Sequence, residues 1–253
     1  MTRQVSEAIG VKAQQRVRQL CEHFERYADI FEKEVLFTGP SLYFHKKTLL
    51  IRREHGGSVA GCVADADFMD SLYATLTSWG MHRMGPGNAK LVEHSAFLES
   101  FRREQDVLCS LERFRIDEVG EADLPSVTET LWRSISALRI GIGESKIVAG
   151  TKALHHLLPD LVPPIDRRYT VRFFFEYPNA IQGDDAKQRK KFCAMYPVLA
   201  SIGVACRSAI QLRVARAAGM DTSFTKIIDN AIVGYVRSEL GAKDATDSGS
   251  GGE

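Results

Sequence analysis

The run from Gly141 to Phe175, GIGESKIVAGTKALHHLLPDLVPPIDRRYTVRFFF, restricts the fold more than any other part of the 253-residue chain. Leu131, Ile135 and Leu138 stand at helical spacing before it, and Ile147, Leu154, Leu157 and Leu158 stand within it. Gly141-Ile142-Gly143 between them reads as a tight turn, so the pattern predicts helix, short turn, helix. Pro159 ends the second helix, and Val162-Pro163-Pro164-Ile165 must be extended, because a residue before proline avoids the helical region. Asp166 then falls at an N-cap position, ahead of a third helix carrying Tyr169, Phe173 and Phe174.

The remaining chain reads as helices too. Val5 to Phe31 is one long helical pattern, with Val11, Val17, Leu20, Phe24 and Tyr27 near one face. Ser41 caps a helix through Tyr43, Leu49 and Leu50, although LYFHKKTLLI also fits a strand. Val59 to Ala66 reads as a loop. Asp65 or Asp67 opens a helix with Phe68, Leu72, Leu76 and Trp79 that ends at Gly80, and Met81 to Asn88 is a loop by its glycines and proline. Ala89 to Cys109 is helical with a break near His94. A polar linker over Asp117 to Asp123 leads to a helix from Ser126 to Leu138, with Pro125 in its first turn. Helices over Phe192 to Val204, Ser208 to Ala218 and Ser223 to Leu240 follow a loop from Tyr177 to Asp185. The expected fold class is all-α. Residues 1–241 form a single helical unit, either undivided or drawn into two lobes with a cleft, and 242–253 form a disordered tail.

Hydrophobic residues make up 44% of the chain and charged residues 26%, the balance of a globular protein with a sizeable core. No apolar run approaches the roughly 18 residues of a membrane helix, and the polar N-terminus lacks the apolar core of a signal peptide. The expected location is the cytoplasm, on the nucleoid in a bacterium, without a membrane partner. Five scattered cysteines without a CxxC pair point to neither a zinc site nor a disulfide framework, so no metal and no cofactor is expected. A net charge of +1 leaves binding of a polyanion to local clusters. Arg167, Arg168 and Arg172 form one; Lys187, Arg189, Lys190 and Lys191 form another, which reads equally well as a solvated face.

Together, Leu138, Gly141, Ile142, Gly143, Lys146, Pro164, Ile165 and Asp166 resemble the signature of the helix-hairpin-helix DNA glycosylases, a glycine hairpin, a helix, then V-P-V-D and a further helix. Arg139-Ile140 departs from the usual Leu-Pro-Gly entry, Lys146 stands about one place late, and the four-cysteine iron–sulfur loop of some relatives is absent. SLYATLTSWGMHRMGPGNAKL is similar in layout to the family segment that carries the DNA wedge. The resemblance implies a two-lobed, DNA-glycosylase-like helical bundle. It would act as a monomer on double-stranded DNA with a modified base, flipping that base out and excising it. It further implies anti-phage defence against hypermodified cytosine such as glucosylated hydroxymethylcytosine. The alternative is a helical module of the same fold that binds DNA or a partner without chemistry.

That chemistry assigns the residues. Backbone N–H groups around Gly141, Ile142, Gly143, Glu144 and Ser145 would meet phosphate at a helix N-terminus, with Arg167 and Arg168 beside them. Cleaving the glycosidic bond builds positive charge on the sugar, which a carboxylate stabilises, and Asp166 is the candidate. The same aspartate could only cap its helix. Lys146 would attack the sugar as an amine or rest on a phosphate, with Lys152 one and a half turns further along. Met81, His82, Arg83 and Met84 form the candidate wedge, with Asn88 entering the next helix; the methionines could instead fold onto the core. Tyr43, His45 and Trp79 would line a base pocket, although packing explains Trp79 as well. Of His155 and His156, one is expected inward and one outward.

Overall fold

A computed structural model describes residues 9–34, 38–82, 90–143, 145–216 and 219–241. The candidate site residues Arg83, Met84, Asn88 and Glu144, and the tail 242–253, lie outside the described residues. Among the described residues the regular structure is helical: α1 Val11–Glu22, α2 Phe24–Glu34, α3 Gly39–Glu54, α4 Val59–Ala64, α5 Ala66–Leu76, α6 His94–Leu111, α7 Leu124–Ala137, α8 Lys146–Leu157, α9 Arg172–Phe175, α10 Asp185–Ala205, α11 Arg207–Arg216 and α12 Phe224–Leu240. Two π-helical turns, Thr77–Met81 and Arg167–Val171, extend α5 and lead into α9. No single described helix is long and apolar enough to cross a membrane; α10 and α11 reach that length and composition only as a pair bent by 78°.

Local chemistry sets most boundaries. Ser58 and Asp65 cap α4 and α5 through Gly61 N–H and Asp67 N–H. The expected loop at Val59 to Ala66 is therefore a short helix, burying Val59, Cys62 and Val63. The long N-terminal pattern breaks at His23, whose φ of −125° leaves the helical region, so α1 and α2 are separate. The strand alternative for 42–51 loses to α3, which has Pro40 in its first turn.

One continuous apolar core draws residues from every described α-helix, from Ala13 on α1 to Val236 on α12. Two glycines permit its closest crossings. A Cβ on Gly150 of α8 would stand 2.8 Å from Ile135 Cγ2 on α7, and one on Gly234 of α12 only 1.9 Å from Tyr27 O on α2. A methyl cannot fit there, so glycine lets α12 lie directly on the α2 backbone. This crossing fixes the face of α12 that carries Lys226, Asp229 and Val233.

The stretch that dominates the sequence folds nearly as its residues dictate, with one difference. Helix α7 stops at Ala137, and 138–143 already make a longer non-helical connection than a tight turn. A two-bond antiparallel bridge pins it, Val92 N–H to Ile140 O at 2.9 Å and Ile142 N–H to Lys90 O at 2.9 Å. After α8, the extended Pro-Pro run is clamped by Ile165 N–H donating to Thr151 Oγ1 at 3.0 Å and by Thr225 Oγ1–H near Pro159 O and Val162 O.

Candidate active site

Asp166 leaves that extended run at φ −119° and caps the second π turn. Its Oδ1 accepts from Arg168 N–H at 2.7 Å and Tyr169 N–H at 3.3 Å, and its own N–H donates to Thr170 Oγ1 at 3.3 Å. The side chain keeps 35% of its surface exposed. Its other oxygen faces Lys152 Nζ at 3.7 Å, an ammonium on a side chain only 12% exposed and lying 5.7 Å over the Trp79 ring.

Around this pair, side chains from α2, α3, α8, α12 and both π turns converge. Phe31, Met220 and Val233 make a small apolar patch, against which half-buried Trp79, Tyr169 and Leu42 pack. Lys226 Nζ stands 5.1 Å over the Phe31 ring and bonds Asp229 Oδ2 at 2.6 Å and Asn230 Oδ1 at 2.5 Å. Burial pushes the Asp229 carboxyl up, the Lys226 ammonium opposes this, and the charges of Asp166 and Lys152 reach it too.

A histidine chain lies beneath Trp79. The Lys152 carbonyl can only accept, so His156 Nδ1 carries a proton toward it at 2.8 Å. His156 Nε2 then accepts from His45 Nδ1–H at 2.9 Å, and His45 Nε2 accepts from Thr222 Oγ1–H at 2.7 Å. Both His155 and His156 are buried, contrary to the in-and-out expectation, because α8 is covered on several faces, with Ile147, Thr151, Ala153, Leu154 and Leu157 buried as well. Burial and the neighbouring imidazoles push His45 and His155 well below the ordinary histidine range, and burial pushes His156 down to about 4. Neutral imidazoles satisfy this chain; among the described residues they do not gather with acids or cysteines into a metal-holding set.

The sequence-derived residues divide accordingly. Asp166, His45 and Trp79 meet here, with Arg168 stacked over Tyr169 at 5.6 Å and Arg167 half-buried beside it. Tyr43 does not join them: it is 61% exposed, edge-on to Phe44. Lys146 Nζ bonds Asp185 Oδ1 at 3.0 Å and Ser136 Oγ at 2.9 Å, away from Asp166. Six residues along a helix give a rise of about 9 Å and a rotation of about 240°, so Lys146 and Lys152 cannot share a face. Met81 packs into the main core at 7% exposure, which removes it from a wedge, while His82 is exposed.

At the hairpin, a pocket of about 440 Å³ is lined by 138–143, Ser145, Lys146, Ala149 and Gly150. Ile142 is 71% exposed and Gly143 exposed. Ile142 N–H, one of the amides expected to face phosphate, is committed to Lys90 O, and the adjoining Lys146 N–H donates to Gln188 Oε1 at 2.9 Å. Ser145 holds the N-cap position of α8 without a side-chain cap bond. Gly141 and Gly143 have no positive φ, a Cβ on Gly141 meets Lys90 O at an ordinary 3.5 Å, and one on Gly143 meets nothing. Neither glycine is demanded by the fold.

Asp229, Lys226, Asn230 and Tyr169 are the site residues that sequence reasoning passed over. The available signal was polar residues at i, i+3 and i+4 inside the apolar run of α12. Comparison with family models, curated proteins and solved structures gives no match to this chain.

Proposed function

We propose that this chain is a DNA glycosylase that extrudes a modified base and hydrolyses its N-glycosidic bond. The observation that carries the reading is Asp166, a helix-capping carboxylate with Lys152 against its second oxygen, at the rim of an aromatic-walled patch. In the proposed reaction the base leaves with the bonding electrons, Asp166 stabilises the cationic sugar, and water adds at C1′. Trp79 and Tyr169 offer faces on which an extruded base stacks. Hairpin glycines that the fold does not require support close approach of another backbone, as phosphate contact needs. The signature-like run from Gly141 to Asp166 supports DNA as the substrate.

The test is release of bases from duplexes carrying uracil, hypoxanthine, 8-oxoguanine or hydroxymethylcytosine, and from phage DNA with glucosylated hydroxymethylcytosine. Abasic sites are read by alkaline cleavage, with Asp166→Ala as control. Wild-type abasic sites that the variant does not form support the reading. Their absence on every substrate, with salt-dependent duplex binding retained, replaces it with the non-catalytic DNA-binding module.

One observation favours a second course for the same reaction. Lys152 Nζ stands 3.7 Å from Asp166 Oδ2, so in its free-base form its amine would add to C1′ in place of water and form an imine, with strand cleavage by elimination to follow. Borohydride trapping of a covalent protein–DNA adduct, lost in Lys152→Met, distinguishes the two.

A further inference from the structure

We propose that Asp229 reads the extruded base: its Oδ1 accepts an N–H from the edge of a planar heterocycle lying against Trp79 and Tyr169. This rests on the glycosylase reading above and adds the group that selects its substrate.

The residue is 8% exposed. Its Oδ2 is held by Lys226 at 2.6 Å, and its Oδ1 is buried with no hydrogen-bond partner among the described residues. A buried acceptor without a donor costs more than a hydrogen bond gains, so such an atom calls for a partner. The neighbouring amide is already committed. Asn230 Nδ2 donates to Asp221 Oδ1 at 2.8 Å and to Met220 O at 3.2 Å, and Asn230 Oδ1 receives Lys226.

The place of Asp229 in the fold points to what that donor belongs to. Val233, one turn further along α12, belongs to the apolar patch on which Trp79 and Tyr169 pack. Tyr169 is itself tied to Asp166 through its N–H, and the ammonium on Asp229 Oδ2 lies over Phe31 of the same patch. The charges of Asp166 and Lys152 both act on Asp229, which sets the two carboxylates in one neighbourhood. Aromatic walls, a carboxylate for the sugar and a second carboxylate with an unpartnered acceptor are the parts needed to bind a base and cut its bond. In its ionised form, which the Lys226 ammonium on Oδ2 favours, the carboxylate only accepts, so the ligand edge must donate: a ring imide or lactam N–H, or an exocyclic amine. Bases presenting only acceptors at that edge are excluded.

The test measures single-turnover release from the five substrates named above, with melting temperatures, for wild type, Asp229→Asn and the double variant Lys226→Gln/Asp229→Asn. The double variant replaces the ion pair with two amides and serves if the single one does not fold. An asparagine can turn its NH2 outward, so the expected result is a loss of about tenfold or more on the preferred base together with a changed order of substrates. A uniform fall on all substrates that follows the melting temperature overturns the proposal, as does an unchanged order and rate. A wild type that releases no base removes the glycosylase reading and this one with it, whereas an active wild type with indifferent variants removes this one alone.

Discussion

Lys152 and Asp166 meet across the junction of α8 and the second π turn, Nζ 3.7 Å from Oδ2, with the lysine stem buried and the carboxylate one-third exposed. The pair joins a helix of the core to the turn that ends the Pro-Pro run, and every other group of the proposed site is arranged around it. Lys146, the lysine nearer the hairpin, is engaged elsewhere by Asp185 and Ser136. Lys152→Met should therefore lower base release by about tenfold or more, while Lys146→Met leaves it within about twofold. Single-turnover rates on one substrate check both. Equal losses in the two variants would contradict the assignment.

The hairpin glycines are expected to separate folding from binding. An alanine at Gly143 meets no atom within 4 Å and needs no left-handed backbone, so Gly143→Ala should leave stability unchanged or raise it by about 0.4–1 kcal/mol. If a phosphate approaches this backbone, duplex affinity should still fall. Denaturant unfolding and salt-dependent binding of the same preparation measure the two effects, and unaltered affinity would remove the hairpin from the interface.

Gly234 should behave in the opposite way. Its added Cβ would collide with the Tyr27 carbonyl, so α12 must shift off α2. Gly234→Ala should cost about 3 kcal/mol or more, a fall in melting temperature of about 6–12 °C. A fall under about 2 °C would show that the two helices are not held so closely.

The histidine chain sets a direction for acid unfolding. An unfolded imidazole titrates near 6.5, while folded His156 does so at about 4 and His45 and His155 are pushed well below 6.5 by burial. Between those values the unfolded chain binds more protons, so stability is full above about pH 6.5 and falls as pH drops toward about 4. His156 alone contributes roughly 3 kcal/mol over that window. Melting temperatures recorded across it should decline steeply, and His156→Gln should flatten the decline. A profile level down to about pH 5 would mean that these imidazoles are not held neutral.

What could be read without coordinates was what neighbouring residues decide. Pro163 and Pro164 force an extended chain, and the aspartate after them caps a turn whatever surrounds it, so Asp166 was legible. The break at His23 was not, because apolar periodicity runs through it, and the Val59–Ala64 helix is hidden within a loop-like stretch from Val59 to Ala66 because six residues are too few to display a period. The partnership of Lys152 with Asp166 depends on which face of α8 meets the second π turn, and the burial of both His155 and His156 on α8 being covered on several sides. Asp229 was the least legible: its meaning comes from Gly234 pressing α12 onto α2, a relation between segments far apart in the chain.

The proposed reaction requires Asp166 to act through its charge, and one substitution separates that from capping. Asparagine caps a helix about as well as aspartate, since its amide oxygen accepts the same backbone N–H bonds, but it carries no charge to oppose a cationic sugar. The decisive measurement compares wild type and Asp166→Asn for base release and melting temperature side by side. A charge-based role for Asp166 predicts a loss of about a hundredfold or more in release with stability within about 1 kcal/mol of wild type. Equal release by the two proteins would contradict it and leave Asp166 as a helix cap.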